Sequence, residues 1–119
     1  MASSRLSVAR DPALALIVRI FVASVMERLD VSEPVREDLR LAASELFSGA
    51  VEAGEGDLVT FDLSSDDSEI ELRAEDVHPG EAGVPAGPEG WTGHVDLIRA
   101  LFPDAEIGST VRIRVPVPG

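Results

Sequence analysis

Hydrophobic and polar positions fall along the chain in two alternating rhythms. Ser4 to Ala9 sets Leu6 and Val8 between polar neighbours, the period-two pattern of a short first or edge strand. Asp11 followed by Pro12 predicts a helix start, because the aspartate can cap free N–H groups and proline loses nothing at the first helical position. A helix from about Pro12 to Leu29 follows. Leu16, Ile20, Val25 and Leu29, backed by Ile17 and Phe21, form its expected buried face, and Arg19, Glu27 and Arg28 its wet side. So much apolar surface requires either a deep position in the core or another chain against it. Asp30 to Pro34 breaks the pattern, with Ser32 as the expected cap of a second, central helix. That helix carries Leu39, Ala42, Ala43, Leu46, Ala50 and Ala53 at the three-and-four spacing of one face and ends near Gly54. Glu45 and Gly49, four apart, project side by side on a neighbouring flank.

Two strand-like runs come next, Leu58 to Leu63 and Glu69 to Ala74, joined by the polar cluster Ser64 to Ser68, which predicts an antiparallel hairpin. Ile70, Leu72 and Ala74 face one way and Glu69, Glu71 and Arg73 the other, so the sheet has a dry side and a wet side. From Glu75 to Gly93 the composition turns to Gly, Pro and acidic residues, a loop long enough to suggest function. A third helix, roughly His94 to Phe102, holds Val95, Ile98 and Leu101 inward and stops at Pro103; Ser109 to Pro116 alternates as a last strand. The expected fold is a single α+β domain over residues 1–119. It is a two-layer sandwich in which a mixed, mostly antiparallel sheet carries three helices on one face.

Composition narrows the function. The chain has 119 residues and 45% hydrophobic content, enough for one core. Arg19 interrupts the apolar run from Ala13 to Val25, and neither a membrane span nor a secretory leader is expected, which points to the cytoplasm. With no cysteine, disulfides, thiol nucleophiles and cysteine-based metal sites are excluded. The net charge of -12 opposes docking on a phosphate backbone and suits a basic protein partner. His78 and His94 lack the matched spacing of a metal pair.

Three short stretches then carry a resemblance. Glu45-Leu-Phe-Ser-Gly-Ala-Val-Glu-Ala53 aligns without a gap with a motif E-L-x-x-N-A-x-x-H, Asp76-Val-His-Pro-Gly80 with D-x-G-x-G, and Thr92-Gly-His-Val95 with G-x-G-L ahead of a helix resembling Leu97 to Leu101. With this element order, the chain resembles the small bacterial anti-sigma regulatory factors. These are serine-kinase-like members of the ATPase superfamily shared by histidine kinases, Hsp90, gyrase and MutL. The resemblance spans nearly the whole chain. It implies the histidine-kinase-like ATPase fold, ATP and magnesium as family cofactors, Glu45 at the position of the base that activates a nucleophile, and Asp76 and Gly80 in adenine and nucleotide contacts.

The departures are as informative. Gly49 stands where the family has its magnesium-binding Asn, Ala53 where it has His, His78 at the first glycine of the second motif, and Thr92 and His94 at both glycines of the third. Gly49 offers the metal no side-chain ligand, and His94 puts a side chain where backbone N–H groups must approach phosphate closely. Loss of nucleotide binding is therefore expected, with no catalytic residue and no metal. The leading reading is a regulatory protein-binding module of the anti-sigma type, whose partner is a sigma factor or an anti-sigma antagonist. An active ATP-dependent serine kinase with altered ligands is the second reading. A structural or dimerisation domain of a signalling assembly, forming a homodimer, is the third. The loop from His78 to Gly93 is expected to close poorly, and Trp91 either plugs the vacated pocket or anchors a partner.

Overall fold

The computed structural model describes residues 2–29, 31–53, 58–75, 96–108 and 110–116. Strand β1 (Ala2–Ala9) leads through a 3₁₀ turn (Pro12–Leu14) into helix α1 (Ala15–Glu27), which is followed by helix α2 (Glu33–Ala53). Strands β2 (Leu58–Ser65) and β3 (Glu69–Glu75), a helix α3 over residues 96–101, and strand β4 (Thr110–Pro116) complete the order. The cap at Asp11 forms as its side chain dictates, its Oδ1 accepting from the Ala13 N–H at 2.9 Å. Ser32 immediately precedes α2, and its carbonyl accepts the Arg36 N–H at 3.0 Å. Helix α3 closes with the Phe102 N–H on the Ile98 carbonyl at 2.8 Å, just before Pro103 forbids continuation.

The strands lie in the order β1-β2-β3-β4. Every pairing among them is antiparallel, which corrects the expectation of a mixed sheet. Two helices, an even number of passes, separate β1 from β2 and return the chain in the opposite direction; a parallel neighbour would need a single crossover. One face of the sheet is dry: Val59, Phe61, Leu63, Ile70, Leu72, Ala74, Val111 and Ile113 are buried. Against it pack Leu39, Ala42, Ala43, Leu46, Phe47 and Ala50 of α2 and Ile98 of α3, so the helices form the second layer.

The inward face of α1 differs from expectation. Val18, Val22 and Met26 are fully buried, whereas Phe21, Val25 and Leu29 only flank the core and Leu16, Ile17 and Ile20 are exposed. The helix is apolar on most of its circumference, so its hydrophobic pattern has no single direction and packing selects the face.

The wet face of the sheet is held by charge. Arg5 Nε reaches Asp62 Oδ1 at 2.9 Å and Arg73 Nη2 reaches Asp62 Oδ2 at 3.2 Å, while Arg114 bridges to Glu71 at 3.2 Å and Glu106 at 3.1 Å. Glu106 also pairs with Arg112 through two backbone hydrogen bonds of 2.9 Å, laying a short segment along the outer edge of β4.

Candidate functional site

The residues aligned with nucleotide motifs divide sharply. Within α2, Glu45 is half-buried and Gly49, one turn later, is buried, with Leu46 and Ala50 in the core. The helical spacing thus puts Glu45 and Gly49 on one flank, as read from the sequence. Arg10, at the exit of β1, donates from Nη1 to the Ala50 carbonyl at 2.7 Å. That carbonyl belongs to the last turn of α2, where acceptors lack intrahelical donors and the helix dipole favours a cation. The partners expected for Glu45 and Gly49, namely Asp76, His78, Gly80, Thr92 and His94, lie outside the described residues, as do Trp91 and the loop carrying it. β3 ends at Glu75, immediately before Asp76. Among the described residues no group of three or more His, Asp or Glu could hold a metal ion, and no helix is long and apolar enough to cross a membrane.

The described surface carries a second candidate on the helical layer. Leu16, Ile17 and Ile20 of α1 and Leu41 of α2 are 61%, 45%, 54% and 42% exposed. Leu16, Ile20 and Leu41 line a groove of about 530 Å³ between the two helices. Its polar lining combines both signs. Arg40 is paired with Glu37, and Arg19 donates from Nε to the nearly buried Ser44 hydroxyl at 3.3 Å. Asp38 also lines the groove. The groove thus combines exposed apolar side chains with charges of both signs.

Sequence reasoning left open whether α1 lies deep in the core or carries surplus apolar surface, and it missed Leu41. The signal was present: Leu41 stands among Glu37, Asp38 and Arg40, away from the face of Leu39, Ala42 and Leu46. No protein-family model and no curated protein matches the chain.

Proposed function

We propose that this protein is a regulatory binding module of the anti-sigma type, acting by contact with another protein and not by nucleotide chemistry. The observation that carries this reading is the exposed stripe of Leu16, Ile17, Ile20 and Leu41. Removing such side chains from water on association supplies a driving force of about 25 cal/mol per Å² of apolar area, while the charged residues beside them select orientation. The net charge of -12 favours a partner with a basic contact surface. The resemblance to anti-sigma factors names its class, a sigma factor or an anti-sigma antagonist. The missing magnesium ligand at Gly49 and the side chain of His94 at a phosphate-contacting position support a role without ATP.

A photo-crosslinking amino acid at Ile20, compared with one at Arg112 on the opposite face of the sheet, tests this reading in the native cell. The expected result is an adduct of discrete mass with one transcription-regulating protein from position 20 and none from position 112. An adduct with a second copy of the chain would assign the stripe to dimerisation instead. Equal labelling from both positions, or none, would overturn the proposal.

A further inference from the structure

A second cleft, sharing no lining residue with the helical stripe, opens between the C-terminal half of α1 and the ends of β1 and β2, with a volume of about 480 Å³. That volume falls within the range of about 300–1,000 Å³ common to small-molecule sites. Its apolar part is built by Phe21 and Val25 of α1, Leu29 just beyond that helix, and Leu63 of β2. Its polar part comes from an interruption in the strand pattern. The register sets Ser4 opposite Leu63 and Ser65 opposite Ala2, so both serines occupy positions on the side of the sheet that elsewhere carries Phe61, Leu63 and Val59. Ser24 and Arg28 reach the same cleft from α1, one helical turn apart. None of these three hydroxyls, nor the Arg28 guanidinium, has a side-chain partner among the described residues.

Charge separates this cleft from the others described. Arg28 is the one ionisable residue among its described lining residues. The α1/α2 groove contains Glu37 and Asp38, and the small cleft beside the β2–β3 turn contains Asp66, Glu69 and Glu71. In a chain of net charge -12, a cleft whose described lining holds a cation and no acid is a local reversal of sign. Of the described acids that adjoin its lining residues in the chain, Asp66 is directed to its own turn, where Oδ1 accepts from the Ser68 and Glu69 N–H groups at 2.7 and 2.8 Å, Asp62 is held by Arg5 and Arg73 on the wet face of the sheet, and Glu27 is not among the described residues that line the cleft.

We propose that this cleft binds a small amphipathic monoanion, a carboxylate with an aliphatic tail. The tail lies on Phe21, Val25, Leu29 and Leu63, and the carboxylate pairs with Arg28 and the Ser24 and Ser65 hydroxyls. One guanidinium with neutral donors matches a single negative charge; a dianion would need further cations. This inference does not rest on the proposed protein-binding role.

An amide NMR titration of the full chain with octanoate, octanol and acetate tests it. Octanoate should saturably shift the amides of Ser4, Ser24 to Leu29 and Leu63 to Ser65, with octanol about tenfold weaker, because it lacks the charge-assisted bond, and acetate weaker still. Arg28→Gln, at an exposed position, should fold normally and lower octanoate affinity to that of octanol. Ser24→Phe should weaken both by filling the cleft. Equal affinity for octanoate and octanol, no change in Arg28→Gln, shifts centred on Leu16, Ile20 and Leu41, or no shift at all would each overturn the proposal.

Discussion

Asp62 and Arg73 face one another directly across the β2–β3 ladder, and the Arg73 Nη2 atom lies 3.2 Å from Asp62 Oδ2 while Arg5 occupies the other carboxylate oxygen. On its other side Arg73 is registered opposite Arg112, a like-charge cross-strand pair that disfavours the sheet unless compensated. Asp62 supplies that compensation. Burial pushes its carboxyl up, but the hydrogen bonds from Arg5 and Arg73, with their positive charges, outweigh burial and hold it below the ordinary value of 3.8.

The Asp62→Asn variant should therefore be less stable at neutral pH by about 1 kcal/mol, the scale of two partly exposed ion pairs. Because the folded pKa is depressed, this contribution is present above pH 3.8 and is lost as pH falls through the folded value. Urea unfolding of both proteins checks it: the stability difference should close under acid conditions and narrow in high salt.

Asp66 organises the β2–β3 turn. Its Oδ1 takes the Ser68 N–H, the Glu69 N–H and the Ser68 hydroxyl at 2.7, 2.8 and 2.9 Å, an Asx-type cap of the turn. The backbone donors of Ser68 and Glu69, followed by the Ser68 hydroxyl, hold its carboxyl below 3.8. Asp66→Ala should lower the melting temperature at neutral pH and accelerate amide exchange at Ile70 and Ser65, with Asp66→Asn retaining part of the effect. The wild-type advantage should disappear as pH falls below the folded value, the same sign as for Asp62.

Removing apolar side chains should have opposite consequences on the two sides of the helical layer. Leu16→Ser and Ile20→Ser alter exposed positions and should change stability by no more than about 0.5 kcal/mol. Leu39→Ala and Phe47→Ala open the core and should cost about 2–5 kcal/mol each. Denaturant titration at two protein concentrations separates the cases. A large cost for Ile20→Ser that grows with concentration would mean that the stripe is covered by another copy.

Calorimetry with ATP, with and without Mg²⁺, should detect no binding at micromolar concentrations. Gly49→Asn should not restore it, because His94 remains at the position that the resemblance assigns to phosphate contact and the new amide enters a buried site on α2. A surviving hydrogen bond from Asp76 to adenine is worth about 1.5–3 kcal/mol, well short of the roughly 8 kcal/mol that micromolar affinity requires. Magnesium-dependent micromolar binding would instead support the kinase reading.

Where polar and apolar residues were unambiguously separated, the sequence by itself determined the element and its face. The alternation in β3 and β4 and the one-sided face of α2 are local consequences of period, and so is the adjacency of Glu45 and Gly49. The face of α1 was decided only in three dimensions, because Leu16, Val18, Ile20, Val22 and Met26 are alike in hydrophobicity and nothing but packing against the sheet distinguishes Val18, Val22 and Met26 from the rest. The antiparallel pairing of β1 with β2 depended on the two helices between them returning the chain. The pairing of Asp62 with both Arg5 and Arg73, and the meeting of Ser4, Ser24, Ser65 and Arg28 in one cleft, followed from register and helix placement. Such contacts join residues far apart in the chain, and no local spacing encodes them because they arise only once the two layers have closed on a common core.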